Sequence, residues 1–267
     1  MTADHGYLLD NQQPEAPRRF DALATLFDPS TFRHLEAVGT GRGWRCWEVG
    51  AGGPSVVEWL VGRVGPDGQV LATDIDTSRI TAPTAPTLEV RRHDVGLDPP
   101  PSGGFDLVHA RLVLVHVPQR EQALASMVES LRPGGWLVVE DADPALQPLI
   151  CPDEFGPEQA LANRLRRDFR TLMAERGVDL AYGRTLPRRL REAGLRAVEA
   201  DAYFPITSPA CTALEQATVE QIREQLVSSG MATEEDIDLH LRNIASGRLD
   251  LATSPMVTSW GRKPPPS

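Results

Sequence analysis

Hydrophobic positions change their period several times along the chain, and each change marks an element. Phe20, Leu23, Leu26 and Phe27 recur at intervals of three and four, the spacing of one helical face, and Phe32 and Leu35 continue it as far as Gly39. The Asp28-Pro29-Ser30 step predicts a break within this helical arm, which spans residues 1–40. From Trp44 the pattern alternates. A short apolar strand at 45–49 is followed by a glycine turn at 50–53, a helix at about 55–64, the turn Gly65-Pro66-Asp67-Gly68 and a second strand at 70–75. A Pro- and Thr-rich stretch at 81–87 leads to a strand at 88–92, and a loop at 99–104 leads to a strand at 105–110. Pro118 opens a helix that carries Leu124, Met127, Val128 and Leu131 inward. Arg132-Pro133-Gly134-Gly135 stops that helix, and 136–140 reads as the fifth strand.

Strands that alternate with helices through short turns predict a mostly parallel sheet covered on both faces, because parallel neighbours need crossover connections. Beyond Asp143 the alternation lapses. An amphipathic helix at 157–176 places Leu161, Leu165, Phe169, Leu172 and Met173 on one stripe. A helix at 186–193 closed by Gly194 and a strand at 195–204 follow. Two further helices come next, the second opening at Thr233 with Asp236 in a capping box, then a strand at 256–260 and a Pro-rich tail at 263–267. The domain expectation is therefore one α/β domain over 41–262, with insertions at about 143–182 and 205–254 capping it together with the N-terminal arm.

Composition narrows the class. With 41% apolar and 24% charged residues over 267 positions, the chain is an ordinary globular one, and no apolar run reaches bilayer length. A net charge of −10 disfavours a polyanionic partner, so neither nucleic acid nor membrane is expected. Cys46, Cys151 and Cys211 stand far apart, so neither a disulfide framework nor a metal site is expected. The first ten residues show no basic and apolar leader, and the expected location is cytoplasmic. Oligomeric state stays open, a homodimer being one option.

The chemistry gathers at strand ends. Glu48-Val49-Gly50-Ala51-Gly52-Gly53-Pro54-Ser55 forms a strand-to-helix turn in which glycine lets a ligand approach the backbone, and the helix start behind it presents unpaired N–H groups. Asp74 ends the second strand twenty-two residues after Gly52, where a carboxylate can accept ribose hydroxyls. Arg92-His93-Asp94-Val95 closes the third strand and brings Asp94 to the same edge. Ser55 stands where a dinucleotide fingerprint has its last glycine, and no Tyr-x-x-x-Lys pair follows any tyrosine, which removes the dehydrogenase reading.

On these residues the segment from Trp44 to about Asp141 resembles the class I S-adenosylmethionine (SAM)-dependent methyltransferases, especially small-molecule enzymes of bacterial secondary metabolism. Phe105-Asp106-Leu107-Val108 and Leu131-Arg132-Pro133-Gly134-Gly135 match two further motifs of that family, in the right order. Pro54 departs from it, standing at the third glycine position. The resemblance implies a doubly wound, Rossmann-like sheet of seven strands in the order 3-2-1-4-5-7-6, the last antiparallel. It implies SAM as cofactor, S-adenosylhomocysteine as product and a small-molecule methyl acceptor. It assigns the methionine part of SAM to Glu48, Gly50, Ala51, Gly52 and Gly53, the ribose to Asp74 beside Ile75, and the adenine to Asp94 and Val95, with His93 covering its edge. Ala110 and Arg111 end the fourth strand; Arg111 meets the SAM carboxylate or pairs with a nearby acid. Tyr7 folds over the cofactor or simply packs.

On the acceptor side, His116 is the candidate general base or a pocket-wall residue, and His109 is expected within the core. Asp141, Phe169, Met173 and Tyr203 are candidate acceptor contacts, core packing being the other role open to them. Two other functions share these features: a SAM-fold enzyme of non-methylating rearrangement or cyclisation, and a non-catalytic SAM-binding module. Asn-Pro-Pro-Tyr and Asp-Pro-Pro-Tyr motifs are absent from the sequence, which ranks nucleic-acid and protein amines lower as acceptors.

Overall fold

The structure, a computed structural model, describes residues 8–9, 13–81 and 85–265. Two compact units emerge: one from the described part of 1–26 with Asp143–Ala181 and Phe204–Pro255, the other from Phe27–Ala142, Tyr182–Tyr203 and the described part of 256–267.

The second unit contains the sheet. Its strands are β1 (Arg45–Val49), β2 (Gln69–Asp74), β3 (Leu88–Arg92), β4 (Phe105–Arg111), β5 (Leu131–Ala142), β6 (Arg196–Tyr203) and β7 (Met256–Arg262). They lie in the order β3-β2-β1-β4-β5-β7-β6, as the family resemblance implies. β1 to β5 pair in parallel, while β7 runs antiparallel to both β5 and β6. Helix α2 (Ser55–Val64) places Val56, Val57, Leu60 and Val64 against Cys46, Val70, Ala72 and Leu107 of the sheet. Each such side chain, fully buried, contributes about 1.5–3 kcal/mol.

Three local expectations are corrected. Helix α1 runs unbroken over Ala16–Ala37 with Pro29 inside it. Proline removes one backbone donor, but its fixed φ is helical, and on either side of it Asp28 and Thr31 are held by the Arg111 guanidinium at 2.8 and 3.0 Å. Helix α3 (Arg120–Ser130) begins two residues after Pro118. The Arg132–Gly135 step is a bulge inside β5 rather than a stop before it: the register shifts between Phe105 and Leu107, and Gly134 and Gly135 pair with Lys263. Lys263 also caps α3, its Nζ lying 2.8, 3.0 and 2.7 Å from the carbonyls of Val128, Glu129 and Leu131. Helix α5 (Leu186–Glu192) completes this unit.

The other unit is helical. α4 (Pro157–Glu175), α6 (Pro209–Ser228) and α7 (Glu234–Ala245) share a core of Leu165, Leu172, Val219, Ile222, Leu226 and Ile237. Inside it Glu215 accepts from Arg166 at 2.6 Å and from His240 at 3.1 Å, tying the three helices through one carboxylate. The Thr233–Asp236 capping box is present at the start of α7. Among the described residues no helix is long and apolar enough to cross a membrane.

Candidate functional site

The C-terminal edge of the parallel strands brings together the ends of β1, β2, β3 and β4. At the end of β1 the chain reverses through Gly50 and Gly52, both at φ +61°, a region open to glycine and costly for other residues. A Cβ on Gly50 would lie 2.4 Å from Cγ2 of Val113, so the segment after β4 packs directly on this turn. Pro54 takes the N-cap position of α2, which leaves the first amides of that helix pointing out of the turn.

Asp74 organises the turn. Its Oδ2 accepts the Gly52 amide at 3.0 Å and its Oδ1 accepts the Asp76 amide at 2.9 Å. Burial pushes its pKa above the ordinary carboxylate range, against the pull of those two amides. A carboxylate offers about four acceptor positions, so two amides leave room for a pair of sugar hydroxyls. Next to it Ile75 is 60% exposed, a large apolar side chain at the sheet edge suited to the face of a nucleobase. Asp94 closes the turn after β3 through Gly96 at 2.9 Å, and Val95 is buried beside it. This edge has the parts a nucleoside needs: a carboxylate, an apolar face, free helix-start amides and a turn without side chains.

Other predicted residues are engaged by the protein itself. His93 is buried, with Nε2 3.0 Å from the Pro99 carbonyl and its ring edge-on to Trp47. Arg111 pairs with Asp28, which also lies 3.4 Å from the Ser55 hydroxyl at the start of α2. Glu48 turns inward and accepts from His109 Nδ1 at 2.6 Å. Ala110 is wholly buried. Tyr7 lies outside the described residues.

His109 is the centre of a group that pattern reasoning left as a core histidine and a run of loop acids. Its Nε2 stands 3.3 Å from Oε2 of Glu140, which also accepts from Thr31 at 2.5 Å, while Thr258 donates to Oε1 at 2.7 Å. Burial opposes a charge on His109, but the Glu48 carboxylate and the hydrogen bonds to Glu140 and Glu48 outweigh it and raise the pKa to about 9. For Glu140, burial likewise opposes ionisation, and the hydrogen bond and charge of His109, with help from Arg111 and Thr31, bring it down to about 2. The available signal is parity: Glu48 lies opposite His109, His109 lies opposite Val138, and Glu140 follows Val138 by two residues on the same face of β5.

On the acceptor side, His116 follows a tight segment that starts at Leu112, at φ +57°, whose amide donates to the Glu140 carbonyl at 2.7 Å. Asp141 is 0% exposed. Burial pushes its pKa well up, opposed by the amides of Val115 and Leu114. Tyr203 ends β6, 38% exposed and edge-on to Phe27. Phe169 and Met173 lie in the apolar core of the helical unit, so the five candidates divide between the two units.

Comparison with known proteins decides the family. Residues 8–200 match the family model described as a methyltransferase domain. The chain belongs to this methyltransferase family. Methyltransferase str2 of Strobilurus tenacellus is 31% identical over 209 residues, covering 74% of this chain and 72% of that one. Nocamycin O-methyltransferase of Saccharothrix syringae is 33% identical over 173 residues, 55% of this methyltransferase and 61% of its own length. Among solved structures, phosphoethanolamine N-methyltransferase 2 of Haemonchus contortus, in complex with phosphomonomethylethanolamine and S-adenosylhomocysteine, superposes with a TM-score of 0.57 at 13% identity. That likeness of fold covers 97% of this chain and 59% of the other. The methyltransferase is a SAM-dependent enzyme, and the edge built by Gly50, Gly52, Asp74 and Ile75 fits that cofactor.

Proposed function

We propose that this methyltransferase passes the methyl group of SAM to an oxygen, nitrogen or carbon atom of a small molecule of the secondary-metabolite class. The likeness to nocamycin O-methyltransferase carries this reading. The surplus of acidic residues supports it, since a net charge of −10 repels polyanions.

In this reading the glycine turn takes the methionine part of the cofactor, Asp74 the ribose, and Ile75, Asp94 and Val95 the adenine. Glu48, His93 and Arg111 serve from behind, fixing the strand ends that carry these groups. SAM supplies an activated methyl group, and alignment of the nucleophile provides most of the protein's share. Where the acceptor must lose a proton, His116 is the base. Asp141 sets the segment that carries His116, and Tyr203 borders the acceptor.

The test is incubation with labelled SAM and a panel of phenols, carboxylic acids and amines, with RNA and protein as parallel acceptors. A small product heavier by one methyl group, with stoichiometric S-adenosylhomocysteine, is expected. Label found only in the macromolecules, or a small product of unchanged mass, would overturn the proposal.

A further inference from the structure

Helix α1 keeps Asp28 and Pro29 side by side in its interior, two residues that a helix tolerates poorly. Places where a sequence breaks such a local rule are expected to be functional or strained. The Asp28 side chain, 16% exposed, lies between the end of β4 and the start of α2. Its Oδ1 accepts from Arg111 at 2.8 Å and from the Ser55 hydroxyl at 3.4 Å. The same Arg111 nitrogen donates to Thr31 at 3.0 Å, one turn further along α1. The carboxylate is thus fixed by α1, β4 and α2 together, and all of these residues belong to the sheet unit.

The other acids at these strand ends have work of their own. Glu48 turns inward to His109 at 2.6 Å. Asp74 takes the Gly52 and Asp76 amides, and Asp94 the Gly96 amide. Among the described residues nothing donates to Oδ2 of Asp28, which leaves an open acceptor beside the first residue of α2.

We propose that Asp28 accepts the α-ammonium of the cofactor, giving the amino-acid end of SAM a fixed anionic partner beside the glycine turn. The inference rests on the reading that this turn takes the methionine part. A turn built of glycine offers backbone amides and carbonyls but no charge, so an ammonium there needs a carboxylate from a neighbouring element. Hydrogen bonds between charged groups are about twice as strong as neutral ones, and a partly buried pair is screened less by salt. Pairing with Arg111 orients Asp28 beforehand, so little side-chain freedom is lost when the ligand arrives. The ammonium takes no part in methyl transfer and is the same in SAM and S-adenosylhomocysteine. Asp28 therefore holds both equally, a uniform binding contribution that lowers KM and leaves kcat alone.

Calorimetric titration of the full chain at pH 7 with SAM, with S-adenosylhomocysteine and with its desamino analogue, in which hydrogen replaces the ammonium, tests this. Asp28→Asn keeps the size of the side chain and an acceptor for Arg111 and Ser55. It is expected to weaken SAM and S-adenosylhomocysteine about tenfold each and the desamino analogue less than twofold. Thr31→Val, which removes the hydroxyl that Arg111 also reaches, keeps the wild-type ratio of S-adenosylhomocysteine to the analogue. Asp74→Asn checks where the cofactor lies and is expected to weaken all three ligands. If it weakens none, the placement of the cofactor falls and the role of Asp28 with it. If it weakens all three while Asp28→Asn weakens them equally or not at all, the role of Asp28 alone is overturned. Thermal unfolding verifies that each variant is folded, with Asp28→Ser as the second substitution at that position; failure of both to fold would make Asp28 structural and overturn the proposal.

Discussion

Gly50 shows how much one side chain can decide. Its φ of +61° and the Val113 methyl 2.4 Å from a would-be Cβ penalise alanine twice. Left-handed backbone costs roughly 1–2 kcal/mol and overpacking about 1–3 kcal/mol. Gly50→Ala is therefore expected to lower stability by about 2–5 kcal/mol and to weaken SAM binding at least tenfold, read by denaturant unfolding and calorimetry. His109 and Glu140 give the fold a pH window. The His109 pKa rises from 6.5 to about 9 on folding, so its contribution is complete below pH 6.5 and lost as pH climbs through 9. The Glu140 pKa falls from 4.5 to about 2, so its contribution is complete above pH 4.5 and lost as pH drops through 2. The two shifts overlap in the His109–Glu140 contact and are not summed, Glu48 acting on His109 besides; the larger amounts to on the order of 3 kcal/mol. A melting temperature that stays flat between pH 7 and 10 would contradict the assignment at the alkaline end.

Among the elements, α3 depends on a residue far away in sequence. Lys263 caps three carbonyls at its C-terminal end, where a cation also complements the helix dipole. Lys263→Met should cost about 1–2 kcal/mol, lowering the melting temperature by roughly 2–6 °C while leaving SAM affinity unchanged. The glycine bulge in β5 belongs to the same arrangement, because Gly134 and Gly135 pair with the backbone of Lys263. Helix α7 is self-contained by comparison: removing its cap by Thr233→Ala should cost about 1 kcal/mol in thermal unfolding.

For the molecule as a whole, the net charge of −10 predicts no gel-shift of single- or double-stranded nucleic acid at physiological salt. A salt-sensitive shift at micromolar protein would count against a small-molecule acceptor. The division into two compact units also has a chemical side. The proposed cofactor edge belongs wholly to the sheet unit, whereas Phe169 and Met173 belong to the helical one.

What the sequence determined by itself is whatever depends on short spans. Period-two and period-3.6 patterns located the strands and helices, and glycines at a strand end with an acid closing the next strand marked the edge proposed to hold the cofactor. Strand order came through the resemblance, since no local pattern encodes it. Tertiary structure alone decided where polar side chains spend their hydrogen bonds. Arg111 found Asp28, Glu48 found His109, and His109 found Glu140 across 83, 61 and 31 residues of chain. The Pro29 helix and the β5 bulge also needed it, because their local signals favour a break and only long-range partners outweigh them. Burial and pairing are properties of the assembled sheet, and a charge in the chain has neither until the strands lie side by side.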